Sequence, residues 1–218
     1  MYCHEAVQCS RLSEDRTLQS VALVYLGYTY IMGQPSRPAK AIETFTEVLQ
    51  SLGNEDAVIK SDIYLGVAEA FSLLKDERQA RKTIDLAQDL YPAHPESSPS
   101  YFYLDCPAHI LYQWQGKVYL NLGYYQKALD VLEHCTTMQS SLRGKSDTFI
   151  NQAEAALGLG NQEQYLMCLR EGTQLALIVG SQHRYQEALK VYRNTPEGWQ
   201  NDRQIKELAQ LFSSQQRK

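Results

Sequence analysis

The five cysteines and five histidines are the residues of this chain best suited to metal or nucleophilic chemistry. They fall into three loose groupings: Cys3-His4 with Cys9, Cys106-x2-His109, and His134-Cys135. A zinc site needs ligands in closely spaced pairs, and none of these groupings has a second pair to complete it. Single Cys and His residues of this kind read as packing or surface residues. His183-Arg184, following a glycine, reads as a solvated helix start. The chain carries no GxSxG elbow, no P-loop, no GxGxxG after a strand and no HExxH. No acid, base and nucleophile converge, so the sequence assigns no catalytic residue, no metal site and no cofactor.

Fifteen tyrosines offer a different chemistry, that of rigid contact surface with a hydroxyl at its tip. Tyr30, Tyr64, Tyr112 and Tyr119 occupy repeating positions and are expected in the core, as are Trp114 and Trp199. Tyr28, Tyr185 and Tyr192 lie off that pattern and are the tyrosines expected to meet a partner.

The elements that position these residues are helices. The repeating unit is clearest in Tyr64-x2-Val67-Ala68-x2-Phe71, then Ala80-x3-Ile84-x2-Ala87, closing on Pro92. A second copy reads Tyr112-x2-Gln115-Gly116-x2-Tyr119, then Ala128-x3-Leu132-x2-Cys135. An earlier one reads Leu23-x2-Leu26-Gly27-x2-Tyr30, then Ala41-x3-Phe45-x2-Val48, with prolines in its turn between Gly33 and Pro38. Weaker copies follow: Phe149, Ala153 and Ala156 with Tyr165, Leu169 and Gly172, and a last hairpin from Gly180. In that hairpin, Tyr185, Ala188 and Val191 precede Ile205, Leu208 and Leu211.

Small residues at Gly27, Ala68, Gly116, Ala153 and Ala188 let paired helices approach, and the large residues fill the gaps between hairpins. Ser61 or Asp62 is expected to cap the helix through Phe71, and Asp105 the one after Pro107. Gly123 and Gly160 sit where a turn calls for positive φ. No stretch alternates with period two, so no sheet is expected.

This spacing resembles the tetratricopeptide (TPR) superfamily over nearly the whole chain. The resemblance implies an all-α, right-handed superhelical solenoid of antiparallel hairpins, a single array across 1–218. Its units are about 18–52, 61–92, 109–140, 146–177 and 181–213, with a partial N-terminal helix over 1–14. The segment from Glu5 to Leu12 looks like the second helix of a hairpin whose first is missing. Either the chain is a piece of a longer one, or this helix is the cap that a solenoid end needs. A long loop spans 93–107, broken by Pro95, Pro99 and Pro107. It either covers the edge of the solenoid or acts as a lid or docking loop.

In the superfamily the first helix of each hairpin lines the binding groove. Carried onto this chain, the lining residues are Val24, Tyr28, Glu69, Gln113, Lys117, Asn121, Ile150, Glu154, Tyr185, Tyr192 and Arg193. The Lys and Asn clamp of chaperone-tail adaptors is replaced here by Val24, Tyr28, Leu65 and Glu69, which disfavours that role. The stretches around Glu5–Gly27 and Gln174–Arg184 resemble the C-terminal halves of bacterial helix-turn-helix transcriptional regulators.

The resulting expectation is a non-catalytic protein- or peptide-binding module, the sensor part of such a regulator. The alternative is a structural scaffold that assembles subunits, including copies of itself. A net charge of −4 with scattered basic residues speaks against direct nucleic-acid binding. The most apolar stretch, Val21 to Met32, is too short to span a bilayer. The absence of a basic-then-apolar leader and of paired cysteines points to the cytoplasm.

Overall fold

In a computed structural model, residues 2–13, 15–52, 56–104 and 106–213 are described. They contain twelve α-helices and no strand. Helical hairpins follow one another along the chain, the architecture of an all-α TPR-like solenoid. The chain divides into two compact units, Met1–Leu122 and Gly123–Lys218. The boundary falls inside the stretch 109–140 that the spacing reads as one hairpin.

The first unit holds α1 (Tyr2–Arg11), α2 (Arg16–Met32), α3 (Pro38–Ser51), α4 (Ala57–Leu73), α5 (Glu77–Leu90), the single turn α6 (Tyr101–Leu104) and α7 (Ala108–Leu122). Aspartates start three of these helices. Asp15, Asp56 and Asp76 each accept the backbone N–H three residues on, satisfying a donor that the helix itself leaves free. Asp56 therefore starts α4 several residues before the expected cap. Ser61 and Asp62 lie inside the helix instead, both buried. The other expected cap, Asp105, lies outside the described residues.

Close approach of α2, α3 and α4 depends on Phe45, which is fully buried on α3. A Cβ added at Gly27 would lie 2.5 Å from its Cε1, and one at Gly66 would lie 2.5 Å from its Cζ. One ring thus fills the space that two glycines leave on neighbouring helices. Ala68 and Ala80 meet Ile84 and Val118 in the adjoining cluster, where α4 packs on α5 and α7. At the chain's start, Val7 of α1 packs on Ala22 and Leu26.

The second unit holds α8 (Tyr125–Met138), α9 (Leu142–Leu159), α10 (Gln162–Ile178), α11 (Gln182–Arg193) and α12 (Arg203–Ser213). Its core joins Ile150, Ala153 and Ala156 to Tyr165 and Leu169. Gly160 takes φ +72° at the turn between α9 and α10, and Gly123 takes φ +81° just before α8. Tyr185 donates its hydroxyl to the Phe212 carbonyl at 2.9 Å, fastening α12 to α11.

Candidate functional site

Five of the eleven residues expected to line a groove are buried: Val24, Tyr28, Glu69, Ile150 and Tyr185. Val24 and Ile150 are core residues with nothing to offer a ligand, because neighbouring helices pack over the face they occupy. Gln113, Lys117, Asn121 and Tyr192 are half-buried, and Glu154 and Arg193 are exposed. The tyrosine assignment reverses in part. Tyr28 and Tyr185 are buried, whereas Tyr30, Tyr64, Tyr112 and Tyr119 are only half-buried.

In the first unit, three of the expected residues meet around a polar constellation that contains others not read as groove lining. Tyr28 of α2 donates to the Asp62 main-chain oxygen at 2.8 Å and to its Oδ1 at 3.1 Å. The Cys106 thiol lies 3.9 Å from the same carboxylate oxygen. The Tyr28 ring also packs on Trp114 of α7, with centroids 5.0 Å apart. Lys117 lies over Trp114, its Nζ 5.2 Å from the ring centroid, and pairs with Glu69 Oε1 at 2.8 Å. One turn further along, Asn121 donates to Ser72 Oγ at 2.9 Å. The side chains read as groove lining on α2, α4 and α7 are thus held by neighbouring helices, and two of them, Lys117 and Glu69, bind each other.

Two oxygens of this constellation, Asp62 Oδ2 and Glu69 Oε2, are buried without a hydrogen-bond partner among the described residues. Burial pushes the Asp62 carboxyl up to about 7, against the opposing effect of its bonds from Tyr28 and Cys106. The Tyr28 phenol rises too, through burial and then the charge of Asp62. Asp62 titrates in the range of a general base, but at 6% exposure it has no route to a substrate. Its charge bears on stability instead. The signal that could have found it is a carboxylate in the apolar stretch Ala57–Leu73, where an unpaired acid is costly.

Glu69, 2% exposed, depends on Lys117 for its counter-charge. Replacing Lys117 with Met keeps the aliphatic stem over Trp114 and removes the charge. The variant is expected to lose about 1–3 kcal/mol, the cost of stranding a buried acceptor. Urea unfolding of Lys117→Met beside Lys117→Arg measures this, with arginine expected to restore most of the loss.

The second unit offers an open cleft of about 370 Å³ between Tyr192 and Arg193 on α11 and Ile205, Lys206 and Ala209 on α12. Two of the expected residues line it, although nothing in their spacing indicates a cleft.

The buried thiols fit no reactive site. Cys106, Cys135 and Cys168 are buried. Burial raises the last two, pushing Cys168 up to about 12, which keeps them in the weakly nucleophilic thiol form. Among the described residues, no three His, Cys, Asp or Glu side chains gather as a metal site would need.

Residues 110–141 match the tetratricopeptide repeat family model. The match runs from the first turn of α7 through α8 to the cap of α9, and it supports membership of the TPR superfamily. TPR repeats typically mediate protein–protein contacts and are non-catalytic, which suggests an interaction module with a protein partner. No curated protein matches the chain. Among the described residues, no helix is long and apolar enough to cross a membrane.

Proposed function

We propose that this chain is a protein- or peptide-binding module that uses the accessible polar residues of its first helices. The observation that carries this reading is the tetratricopeptide repeat at 110–141, on whose α7 the half-buried Gln113, Lys117 and Asn121 lie. Half-buried side chains on a rigid helix lose little freedom on binding, so they suit recognition better than a loop would. In the second unit, Tyr192 and Arg193 at the cleft supply an aromatic and a guanidinium, residue types that dominate binding hot spots.

Selection of a displayed peptide library on the purified chain, followed by calorimetry with the enriched peptides, tests the module. Gln113→Ala or Arg193→Ala is expected to weaken binding about tenfold, the effect of one hot-spot contact. A library that yields no saturable binder, or binders indifferent to every one of these substitutions, sinks the reading.

The finer reading is that the module is the sensor part of a cytoplasmic bacterial transcriptional regulator. It is supported by the likeness of the Glu5–Gly27 and Gln174–Arg184 stretches to the C-terminal halves of such regulators. An in-frame helix-turn-helix encoded upstream of Met1 is the expected finding. A stop codon directly upstream rejects it in favour of a stand-alone module or an assembly scaffold.

A further inference from the structure

The break that follows α5 is folded onto the first helices. Ser98 Oγ and Ser100 Oγ donate to Asp56 Oδ1 at 2.6 and 2.7 Å, and the Ser100 amide donates to Oδ2 at 3.1 Å. Tyr25 of α2 donates its hydroxyl to the Tyr103 carbonyl at 2.8 Å. Leu104 packs against the cluster that includes Val21, Val24, Tyr28 and Ile63. Residues 95–104 therefore lie across the face that α2 and α4 share, where the groove was expected.

Three features distinguish this segment from core. Apart from Ser100, which is fully buried against Asp56, it is laid on the surface: Leu104 is only half-buried, and Phe102 is 95% exposed. The helices beneath it are already joined through Phe45, Gly27 and Gly66. Its two ends are also fastened together, because Tyr91 donates to the Cys106 carbonyl at 2.8 Å. A loop with tied ends can lift while α5 and α7 stay in place.

We infer that residues 95–104 are a built-in occupant of the α2–α4 face, and that the partner is a peptide of the same chemistry which displaces them. Such a peptide carries a pair of hydroxyls for Asp56, followed by a main-chain carbonyl for Tyr25 and a leucine for the cluster that Leu104 covers. This inference rests on the peptide-binding reading above and names its ligand class. The segment gains from being tethered, since a covalently linked competitor acts at a high effective concentration. Free peptide should therefore bind poorly until the tethered copy is loosened.

The probe is a fluorescein-labelled peptide with the sequence of residues 95–104, read by anisotropy against the full chain. Ser100→Asp places a carboxylate against Asp56, and Leu104→Ser removes the apolar contact. Each variant is expected to bind the probe at least about tenfold more tightly than the wild type, and adding Asp56→Ala should weaken that binding again. Wild-type hydrogen exchange gives a second readout that does not depend on any variant's folding. Amides of residues 95–104 should exchange well before those of α4 and α7.

Variants that keep wild-type helicity and take up no more probe than the wild type overturn the inference. So does exchange of 95–104 only together with α4, which makes the segment part of the fold. If the loosened variants bind the probe while the library selection yields nothing, the segment is an occupant as stated and the external-partner reading falls. If a selected peptide binds the wild type with exchange of 95–104 unchanged, the occupant idea falls and the binding module stands.

Discussion

At pH 8.5 the Asp62→Asn variant is expected to resist urea better than the wild-type chain, and at pH 4 the advantage should have disappeared. Asp62 is buried, and its carboxyl titrates near 7 where an ordinary aspartate titrates near 4. Below about pH 4 the group is protonated in both folded and unfolded chains, so it costs nothing. Between about 4 and 7 the unfolded chain has released the proton and the folded chain still holds it. Folding then takes up a proton, and stability falls as pH rises through this window. Above about 7 the full penalty stands. Three units of displacement correspond to a penalty on the order of 4 kcal/mol.

Asparagine preserves the shape and the oxygen that accepts from Tyr28, while removing the charge. Urea midpoints of the two proteins across pH 4–9 should therefore diverge with rising pH and run parallel beyond about 7.5. Curves parallel over the whole range would mean that the Asp62 charge is compensated in the folded chain.

Phe45→Ala is the second large effect, a loss of about 3–5 kcal/mol for a buried ring at the meeting of α2, α3 and α4. The geometry adds a sharper expectation about its neighbours. Gly27→Ala in the wild-type background forces a methyl to within 2.5 Å of the Phe45 ring and should cost about 1–3 kcal/mol. In the Phe45→Ala background that clash is gone. The same change should then be neutral or gain up to about 1 kcal/mol from the better helix propensity of alanine. A double-mutant cycle on urea unfolding measures the coupling. Additive effects would show that the ring and Gly27 do not depend on each other, contrary to the packing described.

Much of the local structure was legible in the residue pattern. The paired helices follow from apolar residues recurring every three or four positions. Their turns fall where Gly33, Pro38, Gly123 and Gly160 make a helix hard to continue. The small position at Gly27 was legible as a point of close approach, whereas the Phe45 ring that fills the space against both Gly27 and Gly66 is known only from the packing. The cap of α4 was misread because capping residues stand at two places near the helix start, Asp56 and Ser61-Asp62. Asp56 takes the role by bonding the Ile59 amide, and Ser61 and Asp62 are carried into the interior.

The candidate site was legible only in part. Tyr28, Glu69 and Lys117 were chosen as groove residues from their places on first helices, and they do come together. Their partners Trp114, Asp62 and Cys106 were not chosen, because every contact among them except Lys117 on Trp114 joins residues tens of positions apart. Helical periodicity says which side of a helix is turned inward. It does not say what that side meets.

The sequence by itself determined that this protein is built of paired helices, where they turn and which positions must be small, since those properties rest on interactions between residues a few places apart. Only the tertiary structure decided that Tyr28, Glu69, Lys117 and Asn121 are engaged by neighbouring helices and that residues 95–104 lie over α2 and α4. Those outcomes depend on distant segments competing for the same apolar face and the same unpaired polar atoms. The winner is set by geometry, as Tyr28 on Trp114 and Ser100 on Asp56 show.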